Sequence, residues 1–425
     1  MNFNLNKSKT DSSELIWITP KWPLPADDGA KQANTQLIHN LALQGQVIHF
    51  CPLITKHELE IDFERAKRDL AVTDVTPIIR PSTTVLRRFL HLLSNPFTAL
   101  TLAPFAEREV ANQIRNVIDR FPDALVVHDG LHCAGWTLRR LEKDARTRPT
   151  LIYRAHNVES ALWESAAKER PWSSPFGWFL RFQKILMERF ERKVAQDSFR
   201  VFPVSDVDAR IFRSWISESR VITLPIGMAT AAVRSEEEVD GSRPLRLLFV
   251  GKLDWAPNRD GLLWFLREVW PEVCRVRADI ELTIVGSGIP SATLAEKFKM
   301  PRVNFLGRVD SLVPHYQACD VTLVPIFYGS GTRVKAIESC IHEKPCLSTA
   351  LGVEGLDLSG DTHYFRAEDA REWIDTLVSL SNLETAERGK KACLHIRDRF
   401  DPVKIARKFG ESLRAVPGTE PAVHP

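Results

Sequence analysis

No two of the seven cysteines, Cys51, Cys133, Cys274, Cys319, Cys340, Cys346 and Cys393, stand as a Cys-x-x-Cys pair, and their number is odd. That pattern argues against a secreted disulfide scaffold and against a structural zinc site; it fits a reducing compartment. A large charge of one sign is also missing. The net charge is +3 over 425 residues, and no RNP-type motif is present, so general nucleic-acid binding is excluded. The first fifteen residues are polar and carry no apolar core of a secretory signal. Long hydrophobic runs are absent as well. The nearest approach, Phe89 to Ala106, is broken by Pro96 and Pro104 and falls short of spanning length. With Arg87 and Arg88 before it, this stretch has two readings: core helices joined by a proline turn, or a segment resting on an anionic membrane surface. The first is the stronger. There is no solenoid-length repeat and no low-complexity tract.

What is present is the balance of a globular chain, 44% hydrophobic and 26% charged, long enough for two or three domains. Short apolar runs alternate with amphipathic stretches throughout. In the first half they are residues 14–20, 45–50, 123–128, 150–154, 199–205 and 220–225. In the second half they are 245–251, 281–286, 303–307, 321–325 and 344–348. Near-continuous apolar strands separated by helices predict parallel sheets covered on both faces. Two such sets predict an α/β chain of two doubly wound domains. The polar, charged stretch from Ala229 to Pro244 marks the boundary. The expected divisions are 1–228, a linker at 229–243, 244–398, and a last amphipathic helix over 399–416.

Ligands of doubly wound sheets bind beyond the carboxyl ends of the strands. The most informative such segment runs from Val324 to Cys340. A strand ends at Pro325, a loop with Gly329, Ser330 and Gly331 follows, and a helix is expected to open near Thr332 with Arg333 and Lys335 in its first turn. Exposed amides at a helix start, beside glycines that permit close backbone approach, form an anion site. Each charge-assisted bond to a phosphate there adds about 1.5–3 kcal/mol. Glu338 falls on the inward stripe of the same helix, four residues after Val334 and three before Ile341. A carboxylate there needs donors. Ribose hydroxyls are one source; a backbone amide or Arg333 is the other, and spacing alone leaves the two even.

These residues resemble a known family. LLFVGKLDWAPNRDGLLWFLREVWP, LTIVGSG, FLGRVDSLVPHYQACDVTLVP and GSGTRVKAIESCIHEKPCLSTALGVEGL follow one another in order. Together they resemble the donor domain of retaining GT-B glycosyltransferases of the family 4 type. ITPKWPLPADDGAKQANTQLIHNLALQGQVIHF is similar to that fold's opening strand, glycine loop and first helix. YRAHNVESALW resembles a motif of a bacterial branch tied to polysaccharide and exopolysaccharide assembly. The resemblance implies two Rossmann-like domains facing a central cleft, the first recognising a glycan or lipid-linked acceptor and the second a nucleotide-sugar donor. It implies transfer with retention of configuration and no metal cofactor, in the cytoplasm or at the inner face of the membrane. By the same resemblance Glu338 holds the nucleotide ribose, while Arg333, Lys335 and Lys252 face the diphosphate. Val309 passes beside the nucleobase, Gly29 lies in the glycine loop near the transfer site, and His156 lies close to the reacting sugar. The loop residues Gly329, Ser330, Gly331 and Thr332 complete the donor side.

Two departures stand out. Ser330 occupies the place of the family's first glutamate, and PNRDG at 257–261 replaces its usual Lys-Gly. Both leave the donor sugar open. Alternatives of other classes are a non-hydrolysing sugar-nucleotide 2-epimerase, against which Ser330 argues, and a non-catalytic nucleotide-sugar binder that assists a partner. Among smaller signals, His128 reads as a structural strand-end histidine. Asp206 and Asp208 read as a helix start capped by Ser205 or Asp206 rather than a metal motif. GSG at 286–288 is a weak dinucleotide fingerprint, since Ser291 stands where a third glycine belongs. Residues 171–193 are expected to form one long aromatic-rich helix.

Overall fold

The structure, a computed structural model, describes residues 14–25, 29–82, 97–138, 149–168, 170–229, 243–289, 300–329 and 333–414, with Thr293, Glu296 and Phe298. The chain divides into two compact units. One holds Met1–Pro25, Asn34–Gly227 and Pro402–Pro425; the other holds Ala26–Ala33 and Met228–Asp401.

The first unit is built on β1 (Glu14–Thr19), β2 (Val47–Ile54), β3 (Asp74–Val75), β4 (Ile78–Ile79), β5 (Leu125–Asp129), β6 (Leu151–Ala155) and β7 (Arg200–Pro203). The order is β3-β2-β1-β5-β6-β7, with β4 also paired to β2. Every pairing is parallel. Five successive residues of β1 and all five of β5 are buried, because helices cover both faces and no face is left for polar residues. The helix Pro402–Leu413 belongs to this unit. Its Phe409 ring lies 5.7 Å from Trp17 and 4.6 Å from Phe202, in the core that covers one face of the sheet.

The second unit carries β8 (Leu245–Val250), β9 (Ile280–Val285), β10 (Val303–Gly307), β11 (Val321–Val324), β12 (Cys346–Ser348) and β13 (Phe365–Arg366). Their order, β10-β9-β8-β11-β12-β13, is again all parallel. Each sheet therefore reverses its winding once, between β1 and β5 and between β8 and β11. Those two switch points are where a doubly wound sheet opens a crevice for ligand.

Several expectations are corrected. Residues 220–225 do not form a strand. Ile222 and Leu224 donate amides to β7, but only an isolated bridge, Val201 to Val221, forms. Pro203 at the end of β7 has no N–H to return a bond to the Ile222 carbonyl and continue the ladder. The helix expected near Thr332 begins at Val334, with Arg333 as its N-cap residue. Of the stretch 89–106, residues 89–96 lie outside the described residues. The remainder ends in a short 3-10 helix, Leu100–Phe105, whose Leu102, Ala103 and Pro104 are buried. Ser205 caps Asp206–Arg213 by accepting the Asp208 amide at 3.1 Å, which accounts for the Asp-x-Asp pair. All seven cysteines are free.

Candidate functional site

At the β8/β11 switch point the chain converges from three directions. After β8, the backbone carbonyl of Lys252 accepts from Asn258 Nδ2 at 3.0 Å, while the Lys252 side chain is exposed. Asn258 sits in the first turn of the helix Ala256–Trp264. That helix comes so close to the end of β11 that a Cβ on Gly261 would lie 1.8 Å from the Pro325 carbonyl oxygen. The PNRDG departure is therefore a structural part of the site: it supplies Asn258, and Gly261 allows the approach. GSG at 286–288 has a packing role too, since a Cβ on Gly286 would meet the Gly251 carbonyl oxygen at 1.9 Å.

After β11, Gly329 takes a φ of +108°, which favours glycine, and lies against Pro257 and Trp255. Ser330, Gly331 and Thr332 lie outside the described residues. Arg333 is buried; its Nη2 donates to the Gly329 carbonyl at 3.0 Å and lies 3.4 Å from Glu354 Oε2. One turn on, Lys335 Nζ donates to Asn258 Oδ1 at 2.5 Å and lies 5.1 Å from the centre of the Phe249 ring. Burial draws its amine down from the ordinary 10.5 to about 7; Glu338 works against that drop and Arg333 adds to it. An amine so poised gains a full charge when an anion arrives.

Glu338 is buried on the inward stripe, as its spacing predicts. Its Oε2 accepts from Tyr316 Oη at 2.9 Å. Tyr316 is itself buried, stacked on His342 with ring centres 4.9 Å apart. Burial and the Glu338 charge push the phenol well above its ordinary range, so it remains a donor. Val309 is half-buried in the same cluster as Tyr316, Leu248 and Val285. Lys252, Val309, Gly329, Arg333, Lys335 and Glu338 are thus gathered at one end of one sheet. Sequence reasoning missed Asn258 and Tyr316.

In the first unit, His156 follows β6; Gly29, which falls in the second unit, opens the helix Gly29–Leu43. The His156 ring lies beside Gly130, at the end of β5, where an added Cβ would lie 3.4 Å from its Cδ2. His156 Nε2 is 2.7 Å from Asp129 Oδ1, which also accepts from Arg154 Nη1 at 2.7 Å. Trp17 Nε1 donates to Asp129 Oδ2 at 3.3 Å, and Arg154 Nη1 donates to Asn34 Oδ1 at 2.7 Å. Asp129 and Arg154 are fully buried, whereas the His156 side chain is 25% exposed. Burial opposes the Asp129 charge, but His156 and Arg154 hold the carboxyl below its usual range. An exposed histidine tip thus rests on an ion pair locked in the core. His128 has no such place. Trp136 Nε1 donates to its Nε2 at 3.1 Å, and burial draws its imidazole down to about 3, so it is a neutral core residue. Among the described residues no group of three or more His, Cys, Asp or Glu could hold a metal ion, and no helix is long and apolar enough to cross a membrane.

Known proteins share this fold. Several solved glycosyltransferase structures share the fold over almost the whole chain. HepE of Anabaena, crystallised with UDP and glucose, has a TM-score of 0.63 at 12% identity and covers 95% of this chain and 100% of its own. A mutant of TarM from S. aureus, in complex with fondaparinux, alpha-GlcNAc-glycerol and UDP, has a TM-score of 0.64 at 9% identity, over 95% and 100%. The lipopolysaccharide outer core galactosyltransferase WaaB has a TM-score of 0.61 at 12% identity, over 94% and 99%. The fold is GT-B. Residues 244–382, which carry the whole cluster around Glu338, match the family model described as Glycosyl transferases group 1. The chain is also 22% identical over 415 residues, 92% of its length and 98% of the relative's, to an uncharacterized 44.6 kDa protein in the cps region of Klebsiella pneumoniae.

Proposed function

We propose that this chain is a retaining, family 4 type glycosyltransferase that moves a sugar from a nucleotide-sugar donor to a glycan or lipid-linked acceptor in bacterial surface polysaccharide synthesis. The observation that carries the reading is the cluster at the β8/β11 switch point. A buried carboxylate oriented by Tyr316 suits ribose hydroxyls, and a half-buried amine held by Asn258 suits the diphosphate. The match over residues 244–382 and the neighbours crystallised with UDP support a nucleotide-sugar donor. The relative from a cps region supports a polysaccharide product.

In this reading the departing nucleoside diphosphate is met by Lys335 and Lys252 and by the amides at the start of Val334–Ile341. Charge that develops on the leaving group is stabilised by groups already in place, and no metal is needed. Arg333 acts first on the loop, tying Gly329 to Glu354, and contributes charge to the same end of the helix. His156 hydrogen-bonds the donor sugar or the charge that develops on it, held in orientation by Asp129.

The test is turnover of a panel of nucleotide sugars with glycan and lipid-linked acceptors, with product anomers read by NMR. Transfer with retained configuration, lost in both Lys335→Ala and Glu338→Ala, is the expected result. Interconverted donor sugar without transferred product would establish an epimerase instead. Transfer that survives both substitutions would remove the site assignment.

A further inference from the structure

The helix Pro175–Asp197 buries one face and leaves large apolar side chains exposed on the other. Inward it places Leu180, Leu186, Met187, Phe190 and Val194 in the core. Outward, at spacings that align on one face, stand Trp178, Phe182 and Ile185, 58%, 43% and 45% exposed. Trp172 and Phe176, at the helix entrance, are 69% and 53% exposed. Five of the seventeen exposed large hydrophobics among the described residues therefore fall within fourteen consecutive positions. Scattered exposed apolar residues need no explanation, but a contiguous aromatic patch of this kind marks a contact surface.

Charge identifies the partner. Between Arg170 and Lys193 there are six Arg or Lys and two Glu, in a chain whose total is only +3. Of the two acids, Glu191 is buried and accepts the Glu159 and Ser160 amides at 3.0 and 3.1 Å. Glu188 is bridged by Lys184 at 2.5 Å and by Arg192 at 3.8 Å. The cations surround the rings: the Arg181 guanidinium lies 4.0 Å from the centre of the Trp172 ring, and that of Arg170 5.8 Å from the Phe176 ring. Arg189, Arg192 and Lys193 are exposed on the turns that follow Phe182 and Ile185. Lys193 is bridged to Asp197, the helix's last residue, at 3.0 Å, which leaves six cations against three acids from Arg170 to Asp197. Tryptophan and phenylalanine at one level, bordered by cations, match the headgroup boundary of an anionic bilayer. An uncharged glycan would stack on the tryptophans but would gain little from six cations.

We propose that the outer face of Pro175–Asp197, with Trp172, docks this protein on an anionic phospholipid surface. The site differs from the stretch 89–106, of whose described apolar residues Ala99, Leu102 and Ala103 are buried and Phe97 alone is strongly exposed, at 79%. It does not depend on the transferase reading.

The experiment is vesicle flotation of the full chain. Vesicles of phosphatidylcholine with one-third phosphatidylglycerol are compared with phosphatidylcholine alone, at low and high salt. Two variants on exposed positions are compared with wild type, Trp178→Ser with Phe182→Ser, and Arg189→Gln with Arg192→Gln and Lys193→Gln. Circular dichroism confirms that both remain folded. The proposal expects wild type to float with the anionic vesicles only, with salt weakening the association. It expects each variant to bind at least about tenfold less. Equal partition of wild type and variants, equal binding to both vesicle types, or no flotation would overturn it. So would a wild-type dimer in light scattering that the Trp178→Ser/Phe182→Ser variant dissociates, because the face would then join two copies of the chain.

Discussion

Lys335 holds its charge at a cost in the resting protein. Burial lowers the amine from 10.5 to about 7. A shift of that size, fully realised, amounts to about 5 kcal/mol at neutral pH. Water reaches the half-buried side chain and reduces the penalty to about 2 kcal/mol. Lys335→Met keeps the length and removes the charge. It also takes a donor from Asn258 Oδ1, a loss of about 1 kcal/mol. The net prediction is a variant more stable than wild type by about 1 kcal/mol at pH 7, a rise of about 2–4 °C in the melting of its unit. The sign of the pH dependence is fixed. Between about pH 7 and 10.5 the unfolded chain holds a proton on Lys335 that the folded chain lacks, so wild-type stability gains with rising pH. The advantage of Lys335→Met is therefore largest at and below pH 7 and closes as pH rises towards 10.5. Nucleotide binding moves the opposite way, since the variant loses a charge-assisted bond and binds diphosphate roughly ten- to hundredfold more weakly. Differential scanning fluorimetry from pH 6 to 10, with and without nucleotide, reads both effects. A variant less stable than wild type at pH 7, by a margin that does not change up to pH 9, would refute the reasoning.

Tyr316→Phe removes the phenol that donates to Glu338 and should destabilise the protein by about 1.5–3 kcal/mol in urea melts, with weaker nucleotide binding. In Asp129→Asn the buried Arg154 guanidinium loses its counter-charge, at a cost of about 3–5 kcal/mol. Because Asp129 is held below the usual carboxylate range, its contribution is complete above about pH 4 and lost only as pH falls further, so the gap in urea melts should be flat from pH 5 to 8. Gly261→Ala puts a methyl 1.8 Å from the Pro325 carbonyl oxygen and should force the helix Ala256–Trp264 away from β11. A loss of at least about 2 kcal/mol together with reduced nucleotide binding is expected; a variant that melts and binds like wild type would contradict that packing.

Most of the fold could be read from apolar runs, because parallel strands buried on both faces carry no alternation to confuse with helix. The two-residue strands β3, β4 and β13 could not, since Asp74–Val75, Ile78–Ile79 and Phe365–Arg366 are too short for any period. Residues 220–225 have the composition of a strand, but Pro203 has no N–H to return a bond to the Ile222 carbonyl, and only an isolated bridge forms. At the site, Glu338 was legible from i, i+4 spacing within one helix. Its partner Tyr316 lies 22 residues away, and Asn258 lies 77 residues from Lys335, so neither contact has a local signature. Asn258 was hidden further, because the segment that carries it looked like a departure from the expected motif. The support under His156 was hidden in the same way. Asp129 is paired with a tryptophan 112 residues earlier and with Arg154 25 residues later, and it ends β5 one residue beyond the expected strand.

The central claim is that the cluster around Glu338 binds a nucleoside diphosphate. A thermal-shift panel of UDP, GDP, ADP, dTDP, CMP and NAD tests it directly, since a ligand at a hundred times its Kd stabilises the folded state by about 2.7 kcal/mol. The account predicts that one nucleoside diphosphate raises the melting temperature without added metal, and that Glu338→Ala, still folded, loses the shift. A response to NAD alone, or a nucleotide shift that Glu338→Ala leaves unchanged, would contradict it.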